Sequence, residues 1–201
     1  MWIKLISVAV SILERFFYYP RLAKIFKTIS GELIQNPVIL DVGANRGQSI
    51  KFFQKTFEGC KIYAFEPIPK LAEKLKRLEN HQIQVIEKAV GNSNEETLFW
   101  VSQFEETSSL IMPNAASKWN KIKSLILGKH PSEMFTGIRV DCCTLDKFFL
   151  EIKEDKIFFL KVDVEGAEYS VLLGADKLLR TGLIDYLQLE QHENDMRTNH
   201  S

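Results

Sequence analysis

Apolar residues along this chain follow two rhythms. Short apolar-rich runs, Val38 to Leu40, Cys60 to Phe65, Ile83 to Val90, Ile157 to Val162 and Ile184 to Leu189, predict five buried strands. Between them the apolar positions recur at helical spacing. Ile50, Phe53 and Phe57 follow Gly47, with Gly59 as the stop, and Leu71, Leu75 and Leu78 follow the helix-opening Pro67 and Pro69. Val171, Leu172, Ala175 and Leu179 predict one helix over Ala167 to Leu179, ended by Gly182. Strands alternating with helices at this spacing imply a mostly parallel sheet with right-handed crossovers, helices on both faces and strand order 3-2-1-4-5.

The middle of the chain leaves this rhythm, and an insertion is expected over 92–144. Thr97 to Ser102 and Gly137 to Cys142 read as extra strands there. Ala115, Trp119, Ile122 and Ile126 predict a helix, and Thr144 caps another running through Phe149. Residues 1–36 form a separate N-terminal segment ahead of a main domain over 37–201. In it, Lys4, Ser7, Ser11, Glu14 and Tyr18 trace a narrow polar stripe, and a short helical piece is expected from Leu22 to Ile29. The apolar run is too short to span a bilayer. It suits a helix packed over its own domain, or one lying on a membrane surface through residues 2–19.

The composition fits one globular domain: 201 residues, 45% hydrophobic and 26% charged. Basic and acidic residues number 26 each, so no overall positive field argues for a nucleic-acid partner. Cys60, Cys142 and Cys143 have neither the number nor the spacing for a disulfide framework or a zinc site, which fits a cytoplasmic location. The polar stretch from Glu190 to Ser201 leaves the last predicted strand as an open edge, so the chain is expected to lack a C-terminal hairpin.

Candidate chemistry collects at the strand ends. Asp41, Gly43, Asn45 and Gly47 form a strand–turn–helix cradle. A dinucleotide fingerprint starting at Gly43 needs glycine at positions 45 and 48, where Asn45 and Gln48 stand. A close backbone approach to pyrophosphate is therefore disfavoured, and with it an NAD-binding enzyme. A nucleoside without pyrophosphate suits this turn, S-adenosylmethionine above all, with Asp41 facing its ammonium directly or through water. Glu66 ends the second strand, where a carboxylate accepts from both ribose hydroxyls, and Pro67 turns the chain away. Main-chain groups near Ala89 are placed to read the base. Asp163 ends the fourth strand at the topological switch point, and Glu190 ends the fifth. These two carboxylates are candidates to hold Mg²⁺, with Gln191 or His192 nearby, so that the ion activates a hydroxyl nucleophile. Without a metal, Asp163 or His192 serves as general base.

Taken together, Asp41-Val-Gly-Ala-Asn-x-Gly, Phe65-Glu66-Pro67, Thr107-Ser108-Ser109-Leu110, Thr144-Leu145-Asp146 and Lys161-Val-Asp163-Val-Glu165-Gly166-Ala-Glu168 resemble, in this order, the FkbM-type S-adenosylmethionine-dependent methyltransferases. The resemblance covers roughly Pro37 to His192. It implies a Rossmann-like class I methyltransferase fold, S-adenosylmethionine as cofactor, and O-methylation of a hydroxyl on a sugar or other small metabolite. Such enzymes usually continue into a further helix and an antiparallel hairpin. A truncated, inactive cofactor-binding remnant is the rival reading.

Overall fold

A computed structural model describes residues 19–30, 35–102, 108–112, 114, 122, 125 and 130–190. Its centre is a five-stranded, fully parallel sheet formed by β1 (Val38–Val42), β2 (Lys61–Phe65), β3 (Ile83–Ile86), β7 (Ile157–Val162) and β8 (Ile184–Leu189). The order β3-β2-β1-β7-β8 reproduces the expected 3-2-1-4-5, because β7 and β8 are the fourth and fifth strands of this sheet.

Two-residue periodicity sorts the strand side chains between the faces. Ile39, Ile62, Ala64, Ile83, Val85 and Phe159 join one core cluster. Against that face lie α1 (Tyr19–Ser30), α2 (Gln48–Thr56) and α3 (Pro69–Lys76), through Phe26, Ile50, Phe53, Ala72 and Leu75. Phe26 meets Phe57 and Phe159 edge-on at 4.9 and 4.8 Å, so α1 is seated in the main core. Leu40, Val42, Tyr63, Phe65, Leu160 and Val162 turn to the opposite face. There they meet Leu145 and Phe148 of α4 (Leu145–Glu151), Val171 of α5 (Glu168–Leu173) and Leu178 of α6 (Asp176–Arg180).

Two predicted elements come out divided. The run Ile83 to Val90 is not one strand. It ends at Ile86, and Ala89–Val90 forms β4, which leaves the main sheet to pair in parallel with β6 (Phe135–Cys143). β6 also runs antiparallel to β5 (Glu96–Ser102), giving a second sheet of order β4-β6-β5. The predicted helix Ala167 to Leu179 is likewise two helices, parted at Gly174. A Cβ there would lie 2.0 Å from the Gly91 carbonyl oxygen, so the helix backbone is packed directly against the turn after β4.

The Thr144-Leu145-Asp146 motif joins the helices on this face. Thr144 caps α4 by accepting from Lys147 N, and both Asp146 carboxylate oxygens accept from α6, from Lys177 N and Leu178 N at 3.0 Å each. The predicted helix through Ala115, Trp119, Ile122 and Ile126 falls largely outside the described residues, as do residues 2–18. No helix among the described residues is long and apolar enough to cross a membrane.

Candidate functional site

The carboxyl ends of β1, β2 and β7 open into one cleft. Its walls include Gly43, Asn45, Glu66, Pro67, Ala89 and Asp163 among the expected site residues, together with Phe65, Ile68, Lys88, Phe99, Ser108 and Leu110. The enclosed space is about 60 Å³, set within a wider hollow that opens to solvent.

The cradle after β1 is shaped by backbone. Gly43, Asn45 and Gly47 all have positive φ, of 85°, 48° and 78°. Gly43 N and Ala44 N both donate to the Phe65 carbonyl, at 3.1 and 3.0 Å, which ties the loop to the end of β2. On the other side Asp163 N donates to the Val42 carbonyl at 3.0 Å. A Cβ on Gly43 would sit 1.9 Å from the Asp163 carbonyl oxygen, so glycine is required by the closeness of two strand ends as well as by φ. Gly47 does not face the cleft. It begins α2 in the left-handed region and is covered by Leu75 and Leu78.

Glu66 is 4% exposed and both its carboxylate oxygens are engaged. Oε2 accepts from Asn45 N and Oε1 from Ile68 N, each at 2.9 Å. The carboxylate thus joins the cradle to the start of α3. Beside it, the Asn45 side-chain oxygen is buried and has no hydrogen-bond partner among the described residues. An acceptor in that condition on a cleft wall calls for a ligand donor or water.

Asp41 departs from expectation. It is fully buried and does not line the cleft. One carboxylate oxygen accepts from Ser49 Oγ of α2, and the other lies 3.5 Å from the ammonium of Lys161. Lys161 sits opposite Asp41 in the β1–β7 register, within a strand buried along its whole length. Its Nζ also donates to Asp163 Oδ2 at 3.1 Å. Burial disfavours the charged form of Lys161, but Asp163 and Asp41 outweigh it and hold the ammonium's pKa above the usual lysine value. The sequence carried the signal for this: a lone lysine in an apolar parallel strand is costly unless a carboxylate faces it.

The remaining expectations fall differently. Glu190 is exposed at the end of β8, is not part of the cleft wall, and its backbone N donates to the Val162 carbonyl at 3.0 Å. His192 lies outside the described residues. No group of three or more His, Cys, Asp or Glu able to hold a metal occurs among the described residues. All three thiols are buried and free, and burial pushes that of Cys143 up to about 12, which disfavours the thiolate there.

The second sheet roofs the site; its strands β5 and β6 are expected from the sequence, but not their pairing with each other and with β4. Ser109 pairs with Trp100 of β5 and donates its hydroxyl to the Val164 carbonyl at 2.9 Å, fastening the roof to the loop after β7. Ser108 accepts from Ser102 N at 2.9 Å. In that β7 loop Glu165 has φ 55° and lines the cleft, and Gly166 N donates to Glu168 at 2.8 Å.

Comparison with known proteins agrees with this arrangement. The family model described as the methyltransferase FkbM domain matches residues 41–200. The chain is 30% identical over 186 residues to methyltransferase sdnD of Sordaria araneosa, covering 84% of this chain and 72% of that protein. It is 29% identical to methyltransferase 1 of Beauveria bassiana, covering 69% of this chain and 58% of the relative. The 2-O-methyltransferase NoeI of Sinorhizobium fredii is 27% identical over 79% of this chain and 65% of its own length. The motifs that bind β1, β2 and β7 into one cleft lie inside the matched region, and the chain belongs to the FkbM methyltransferase family.

Proposed function

We propose that this chain is an S-adenosylmethionine-dependent O-methyltransferase whose acceptor is a hydroxyl on a saccharide or another small metabolite. The observation that carries the cofactor assignment is Glu66. Its carboxylate is held at the mouth of β2 by two backbone N–H groups and lines the cleft, where a carboxylate suits a vicinal diol. Asn45 adds a buried acceptor without a partner, and Phe65, Ile68, Phe99 and Leu110 supply apolar walls for a purine ring. The wall near Ala89 accommodates the base, and Pro67 closes the ribose end. The cofactor, when bound, supplies an electrophilic methyl group.

The chain's own residues then orient the acceptor. Asp163 stands at the switch point with 30% of its side chain exposed, and one carboxylate oxygen already engages Lys161. A carboxylate on the cleft wall can take an acceptor hydroxyl's proton or hydrogen bond, which is the work of a general base or an orienting group. Asp41 acts behind the wall, positioning Lys161 and α2. The hydroxyl acceptor is supported by the 2-O-methyltransferase among the relatives.

Titration calorimetry with S-adenosylmethionine, S-adenosylhomocysteine and NAD tests the cofactor. Saturable binding of the first two is expected, and binding of NAD alone overturns the assignment. Transfer of a labelled methyl group to a panel of saccharides and small hydroxylated metabolites tests the reaction. Label appearing only in amine or thiol acceptors removes the O-methylation reading.

A further inference from the structure

We propose that Lys161, behind the cleft wall, supplies the fixed positive charge beside Asp163, taking the place that a divalent cation on Asp163 would fill. This deepens the methyltransferase reading and rests on it for the role of Asp163 alone.

The donor set does not suit Mg²⁺. A divalent cation of that size takes oxygen ligands in near-octahedral array, usually one or two carboxylates with several waters. Asp163 Oδ2 already accepts from Lys161 Nζ at 3.1 Å. Asp41, the nearest other carboxylate to that ammonium, is fully buried behind the wall and has its second oxygen on Ser49. Glu190 is not on the wall of this cleft, and among the described residues no cluster of three ligating side chains exists.

The lysine itself is built in. Its side chain is 7% exposed, it lies across from Asp41 in the sheet register, and it reaches both carboxylates. A dication brought to Asp163 would meet this ammonium at short range, in surroundings where repulsion is weakly screened. The groups facing Lys161 are therefore Asp41 of β1, Asp163 of its own strand's end and, more distantly, Tyr19 of α1. Lys161 is thus a positioning residue: it fixes the rotamer of Asp163 and keeps that carboxylate free of metal.

Manganese titration followed by electron paramagnetic resonance tests this without any acceptor. Wild-type protein, with and without S-adenosylhomocysteine, is expected to leave equimolar Mn²⁺ in the free spectrum. Lys161→Met alone would strand Asp41, so the charge-balanced Lys161→Met/Asp41→Asn is the test variant. It is expected to bind Mn²⁺ at least about tenfold more tightly than wild type, and adding Asp163→Asn should abolish the gain. Saturable Mn²⁺ binding by the wild type that Asp163→Asn removes overturns the proposal. So does a folded double variant with no gain over wild type. Should the double variant not fold, the wild-type titration decides. Failure to bind S-adenosylhomocysteine would instead strike the cofactor reading, so the two fail separately.

Discussion

Glu66 offers the sharpest test because its structural role and its proposed role toward the cofactor separate by substitution. Removing it with Glu66→Ala takes the acceptors from Asn45 N and Ile68 N together, and the side chain is 4% exposed. Each buried N–H left without a partner costs about 1–3 kcal/mol, so a stability loss of roughly 2–6 kcal/mol is expected and would obscure any binding effect. Glu66→Gln is the informative change. Its amide oxygen still serves one of the two N–H groups, which limits the stability loss to about 1–3 kcal/mol. The other end becomes an NH₂ donor, and the negative charge is gone, so a ribose diol loses its charged acceptor. A hydrogen bond to a charged group contributes roughly 1.5–3 kcal/mol, which predicts about 10- to 150-fold weaker binding of S-adenosylhomocysteine. Calorimetric titration gives the affinity and scanning calorimetry the stability, both on protein shown to be folded. Glu66→Gln that is destabilised yet binds with wild-type affinity would make Glu66 a structural clamp only and refute the ribose assignment.

Other substitutions bear on the same architecture. Gly43→Ala should lower the melting temperature and abolish cofactor binding, because its Cβ would lie 1.9 Å from the Asp163 carbonyl at φ 85°; a cost of at least about 2 kcal/mol is expected, and a neutral result would contradict the closeness of β1 and β7. Gly174→Ala should destabilise comparably through the Gly91 carbonyl while leaving residual affinity for the cofactor, as thermal melts and titration of the same sample will show. Asp163→Asn should retain S-adenosylhomocysteine binding within a few-fold and lose methyl transfer by roughly 100-fold or more, measured with labelled cofactor; unchanged transfer would remove Asp163 from the chemistry. Stability should also fall in alkali. Cys143 has its folded pKa raised from 9.0 to about 12, so its contribution is complete below pH 9 and lost as pH rises towards 12. Urea melts from pH 8 to 10.5 should show a decline of up to about 1.4 kcal/mol per pH unit that Cys143→Ala reduces, and an unaltered slope would refute the burial argument.

Much of the fold is fixed by local pattern. Val38 to Leu40 or Ile157 to Val162 can be buried on both faces only within a parallel sheet, and the intervening helical spacings leave few topologies to choose from. The acidic strand ends Glu66 and Asp163 follow from that topology, since the carboxyl ends of adjacent strands converge wherever the order reverses. What the sequence could not decide is what those residues touch. Asp41 and Lys161 are 120 positions apart in the chain, and only the pairing of β1 with β7 sets them side by side, with Asp41 buried off the cleft wall. The break at Gly174 and the departure of β4 from the main sheet also have tertiary causes. Helix spacing and strand propensity continue through both places, and packing against Gly91 and pairing with β6 interrupt them. A hydrophobic period reports which face of an element is buried; the partner that buries it, and the charges that must be neutralised there, are chosen by residues distant in sequence.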